Sequence, residues 1–208
     1  MKRLILYTLG IAITYLGTSI VVKAALGAGF WSALFVGLHE RTSLPSGLWF
    51  GIAQFILVFI NAFLKKSSIE WSAIFPLLIE SAFFTLWLDI VLHSVDLEAA
   101  PLYVQGTAFL IGLVIATFGV GLYIQTKLTR SPVDELFLAL SQRLKWRIST
   151  SQITIATLVT ALALLAGGPV GLGTVLAMLL MGPLVEFWDT RFQNAVTLHP
   201  KGKMHPFA

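Results

Sequence analysis

Six apolar stretches, each near the length of a membrane crossing, constrain this chain more than any motif it carries. They run from Leu4 to Val22, Gly47 to Leu64, Trp71 to Leu92, Val104 to Ile124, Ile153 to Ala166 (extended at its start by Thr150) and Leu172 to Trp188. A helix needs about 20 apolar residues to cross the hydrocarbon core of a bilayer. A soluble domain of 208 residues would have to coat its surface with polar groups, and 12% charged residues against 57% hydrophobic ones cannot do that. The expectation is an all-α polytopic membrane protein with six transmembrane helices. It forms a single membrane domain over residues 1–198, with a solvated cytoplasmic tail over 199–208.

The net charge of +4 does not point to nucleic acid, because no binding motif accompanies it. Lys and Arg instead sort by loop. With the N-terminus inside, twelve of the fourteen fall on inner segments, and only Lys23 and Arg41 fall outside. That bias predicts both termini in the cytoplasm and a place in the cell membrane. The first run follows Met1-Lys2-Arg3 but is longer than a signal-peptide core, and it reads as a retained helix. With no Cys, disulfides, thiolate metal sites and Cys nucleophiles are excluded.

A shift of 102 residues aligns the two halves of the chain, residues 4–93 and 104–191. Gly10 meets Gly112, Gly17 meets Gly119, Leu34-Phe35 meets Leu136-Phe137, Leu38 meets Leu140, and Arg41 meets Arg143. Three crossings per half is an odd number, so the second half enters from the opposite face. The expectation is a pair of inverted three-helix repeats. Each half also holds an extra short segment, Phe30 to Arg41 and Pro132 to Leu144, with helical apolar spacing but too few residues to span. Either can lie at the interface or dip inward as a half-helix.

Four patterns recur together: Ser131-Pro132-Val133-Asp134 after a polar break, Gly171-Leu172-Gly173-Thr174 opening a helix, Gly182-Pro183 within it, and Asp189 near its end. In these the chain resembles, over nearly its whole length, the YitT/YczE-type family of small bacterial integral membrane proteins. The resemblance implies six helices in two similar halves. The first half departs from it, with Phe30-Trp31-Ser32 where the family tends to have Pro-Trp-Asp.

Ionisable side chains inside spans are costly and tend to face a cavity or a partner. Glu80, near the middle of the third run, is the most conspicuous. Glu186 and Asp189 share one face of the sixth run with Met178, Gly182 and Gln193. Their two carboxylates are expected either to bind a cation or proton or to pair with Arg191. Ser131 and Asp134 read as the cap and acid of a capping box, with Pro132 at the first helical position. If that helix dips inward, Lys127, Arg130 and Asp134 surround a polar break that could meet an anion. Gly171-x-Gly173-Thr174 lacks a phosphate-loop ending and is expected to let helices approach closely. Gln54, Asn61, Gln105 and Gln125 are expected to glue helices or line a path. His39, His93, His199 and His205 fall in loops or the tail and form no catalytic or metal set.

The expected function is a small-molecule or ion transporter or permease with a site near the midplane. The candidate lining residues are Glu80, Lys127, Arg130, Asp134, Glu186 and Asp189. The alternative is a non-transporting membrane subunit, either a substrate-binding component or a regulator of a larger complex. Enzymatic activity, a cofactor, a metal site and nucleic-acid partners are not expected. A homo-oligomer or a partner subunit is compatible with the sequence.

Overall fold

The computed structural model describes residues 2–195, so the tail at 199–208 lies outside the described residues. All regular structure among the described residues is helical. The elements are α1 (Lys2–Lys23), α2 (Phe30–Thr42), α3 (Ser46–Lys65), α4 (Ile74–Phe84), α5 (Leu102–Ile124), α6 (Pro132–Leu144), α7 (Ile148–Ala166) and α8 (Leu172–Ala195). A 3-10 turn, Trp71–Ala73, leads into α4, and a π-helical stretch, Thr85–Val91, continues it.

Five of these segments are long and apolar enough to cross a membrane: Arg3–Lys23, Ser46–Lys65, Trp71–Val91, Leu102–Ile124 and Leu172–Phe192. The apolar part of α7, Thr150–Ala166, is shorter. The helices are sorted opposite to those of a soluble bundle. Along α3, Ile52, Phe55, Ile56, Phe59 and Phe63 are exposed, whereas Gln54 and Asn61 are buried beside Phe50, Leu57 and Val58. In water such a surface would aggregate. In lipid it is the stable arrangement, because apolar side chains lose nothing against acyl chains and polar ones must find partners inside. The chain is an all-helical membrane protein.

The bundle has two distinct ends. At one, the Tyr7 hydroxyl of α1 donates to the Thr129 carbonyl (3.0 Å), Asn61 Nδ2 of α3 donates to the Pro132 carbonyl (2.8 Å), and Lys65 pairs with Glu135 of α6 (2.7 Å). At the other, Lys23 Nζ reaches the His93 carbonyl (3.3 Å), Arg41 Nη2 of α2 reaches the Leu165 carbonyl at the end of α7 (2.6 Å), and the Ser46 N–H donates to Asp89 Oδ2 (2.8 Å). That last contact gives the buried start of α3 a carboxylate acceptor supplied by another segment.

At the centre, α1 and α5 cross antiparallel and very close. A Cβ placed on Gly10 would sit 2.8 Å from Tyr123 and 3.0 Å from the Gly119 carbonyl, and one on Gly17 would collide with the backbone of Ala116 and Gly112. Only glycine leaves the backbones that near. An aromatic cluster fastens α2 over α3 and α4, with Phe35–Phe50, Tyr15–Phe50 and Phe50–Phe84 centroids 5.2, 5.6 and 5.8 Å apart.

α2 and α6 are alike in detail. Each has 13 residues, and they start 102 positions apart. Each is preceded by a left-handed residue (Ala25, Lys127) and ended by another (Ser43, Lys145), both pairs again 102 apart. Pro132 at the first position of α6, with Asp134 and Glu135 in its first turn, suits a helix start. Ser131 does not cap α6 with its side chain, contrary to the sequence expectation, because its hydroxyl is held elsewhere.

Candidate functional site

That hydroxyl points into the bundle. Gln54 on α3, Glu80 on α4 and Ser131 before α6 are all buried, and they meet in a closed triangle. Gln54 Nε2 lies 2.8 Å from Glu80 Oε2, Ser131 Oγ lies 2.7 Å from Gln54 Oε1, and Ser131 Oγ lies 2.9 Å from Glu80 Oε2. Burial makes each partner necessary, since an unpaired polar group in a low-dielectric interior costs about 1–3 kcal/mol. Tyr15 on α1 also faces Glu80, and Asp134 is near enough to interact with it electrostatically.

Asp134 sits on α6, outside the spanning helices, and is half-buried. Burial pushes its carboxyl up to about 6, outweighing the pull of Arg130 and of the Tyr123 hydroxyl that faces it. Two acids, two tyrosines, an amide and a hydroxyl therefore converge where α1, α3, α4, α5 and α6 meet.

A cavity of about 390 Å³ opens beside this cluster. Its deep wall includes Val58, Asn61 and Pro132, and its rim carries Ser67, Ser68, Glu70, Ser72, Thr129 and Arg130. Asn61 lies seven residues beyond Gln54, about two helical turns, so both share the buried face of α3. Lys65, also in the wall, is held between Glu70 (2.8 Å) and Glu135 (2.7 Å).

At the opposite end, the positions 102 residues away are packed shut. The Gly167–Thr174 turn is sewn to the break before α2: the Ala28 N–H donates to the Pro169 carbonyl (2.8 Å), the Gly173 N–H to the Leu26 carbonyl (2.6 Å), and the Thr174 hydroxyl to the Ala28 carbonyl (2.6 Å). Gly27, with φ +108°, lies so near Gly171 that a Cβ would come within 2.6 Å of its nitrogen. The Gly-x-Gly-Thr motif thus serves close approach, of a turn to a break in the chain.

Of the residues singled out from sequence, the structure brings Glu80, Asp134 and Arg130 to this region. Lys127 is exposed in the left-handed turn after α5. Glu186 and Asp189, expected to act together from one face of the helix, are set in different surroundings: Glu186 is exposed, whereas Asp189 is buried against α5, where Gln125 Nε2 donates to its Oδ1 (2.6 Å). Arg191 lies over the Phe187 ring (5.1 Å). Sequence reasoning missed Tyr15, Tyr123, Lys65 and Glu135, and it gave Gln54 and Asn61 only a generic role. The readable signal was two amides seven residues apart on an otherwise apolar helix.

The profile of a family of unknown function, DUF6198, matches residues 1–190. The chain is 32% identical to "Uncharacterized protein YyaS" of Bacillus subtilis, over 86% of this chain and 89% of that one. It is 24% identical to "Uncharacterized membrane protein YczE" of the same species, over 87% and 82%. A third relative, an "Uncharacterized protein" of Haemophilus influenzae, is 25% identical over 90% and 83%. No solved structure matches the chain.

Proposed function

Since the chain belongs to the family of unknown function DUF6198 and is consistent with a YczE-type membrane protein, we propose that it is a small polar-solute or ion permease working by alternating access. In this reading it has six crossings, α7 included, in two inverted halves. The basic end faces the cytoplasm, and the protein carries out no chemistry on its substrate. The Gly10–Gly119 and Gly17–Gly112 contacts support inversion, because a two-fold axis between them exchanges one pair for the other. The left-handed residues repeating at an interval of 102 support it as well.

One observation carries the functional reading: equivalent places in the two halves are in opposite states. Leu26, Ala28, Pro169 and Thr174 are sewn together at one end. Their counterparts Leu128, Arg130, Ser67 and Ser72 belong to the other end, where Arg130, Ser67 and Ser72 stand around a cavity. An inverted-repeat carrier needs that asymmetry, since exchanging the two states moves access from one side to the other. A non-transporting subunit has no need of it.

The test locks the open end shut. The chain has no Cys of its own, so Ser72→Cys with Thr129→Cys provides a single pair of thiols in the cavity lining, whose disulfide holds the cavity closed. In proteoliposomes, oxidation should speed hydrogen exchange at the Ala28 and Gly173 amides, with reduction restoring protection. Unchanged exchange at those amides with the disulfide formed would contradict alternating access and favour the static subunit.

A further inference from the structure

We infer that Glu80 is a proton-binding site, and that the proton it holds fastens the start of α6 to α3 and α4. The triangle itself gives the count. Three polar contacts need three hydrogens. Gln54 touches one neighbour through its amide nitrogen and the other through its carbonyl oxygen. It therefore supplies one hydrogen whichever way its amide is turned. The Ser131 hydroxyl supplies a second. The third belongs to Glu80, whose carboxyl O–H closes the ring. An ionised Glu80 leaves two acceptors facing each other at hydrogen-bond distance.

Among the described residues, no cation is set against Glu80. The titratable groups facing Glu80 are Tyr7 and Tyr15 from α1, Tyr123 from α5 and Asp134 from α6. Arg130 faces Asp134 rather than Glu80. Loss of the proton breaks one side of the triangle and so weakens the hold of α3 and α4 on Ser131. Ser131 is the residue between Arg130 at the cavity rim and Pro132 in its wall. Protonation therefore bears on the open gate directly. Occupancy of the site stands apart from the transport reading; the proton's role as coupling ion rests on that reading.

The experiment is infrared spectroscopy of the full chain in liposomes across pH, combined with alkylation of Thr129→Cys by a membrane-impermeant maleimide. The protein should show a protonated-carboxyl stretch that disappears in Glu80→Gln and persists in Asp134→Asn. Alkylation should rise with pH beyond the reagent's own dependence. In a Glu80→Gln background it should stay at its low-pH level, because the new amide supplies the third hydrogen permanently. Should Glu80→Gln fail to fold, Ser131→Ala serves: it leaves only the Gln54–Glu80 contact, so the pH at which the stretch is lost should move. A stretch unchanged by both variants, or a gate pH response that survives Glu80→Gln, overturns the inference. Solute uptake without the stretch would remove the proton and leave transport standing; the stretch without any uptake would do the reverse.

Discussion

The Thr174 hydroxyl donates to the Ala28 carbonyl at 2.6 Å, while their counterparts Ser72 and Arg130 both line an open cavity. The first pair holds α8 to the break before α2 at a wholly buried site. The second keeps a hydroxyl at the matching sequence position, Ser72, here in a 3-10 turn, and both of its residues line the cavity.

Thr174→Val keeps the shape and removes that bond. The Ala28 carbonyl then lacks a donor, at a cost of about 1–3 kcal/mol. The closed end should loosen first: hydrogen exchange at Ala28 and Gly173 should accelerate while amides in the centre of α5 keep their protection. Equal acceleration everywhere would mean a global loss of stability instead.

The helix-crossing glycines should be intolerant in a graded way. Gly17→Ala drives a methyl into the Ala116 backbone, and overpacking of this kind costs about 1–3 kcal/mol. Gly182→Ala is the control, because its Cβ would meet nothing within 4 Å. It should be neutral or stabilising by up to about 1 kcal/mol from helix propensity. Thermal unfolding in detergent separates the two; comparable melting temperatures would refute the close crossing.

Much of this was legible in the sequence. Apolar run lengths placed the long helices, and the 102-residue shift located α2 and α6. Glu80 stood out because an acid there is expensive. What stayed hidden depends on how helices are rotated against one another. Glu186 and Asp189 share a helical face by spacing, but the packing of α8 on α5 buries one and leaves the other exposed. Ser131 looked like a cap, and only the fold reveals Gln54 and Glu80 competing for its hydroxyl. The tyrosines around the acids gave no signal, since aromatic residues are unremarkable in apolar segments.

Asp134 should make stability depend on pH. Its carboxyl rises on folding from 3.8 to about 6, so the folded state binds the proton more tightly than the unfolded one. That contribution is fully present below pH 3.8 and is lost as pH rises through about 6. The melting-temperature difference between the protein and Asp134→Asn should therefore change across that window and be flat above it. A constant difference would exclude the shift.

Transport should separate the candidate residues. In proteoliposomes loaded by uptake from a metabolite mixture and read by mass spectrometry, Glu80→Gln and Asp134→Asn should each lower accumulation at least tenfold, a barrier change of about 1.4 kcal/mol. Exposed Glu186→Gln should leave it unchanged. The opposite pattern would return the site to α8.

Sidedness tests the inverted halves most directly. Ser43 and Lys145 are exposed, end the two short helices, and stand 102 residues apart. With Ser43→Cys or Lys145→Cys as the single thiol, an impermeant maleimide should label the first only from outside intact cells and the second only in inside-out vesicles. Labelling of both from the same side would contradict the two-fold arrangement and the alternating access built on it.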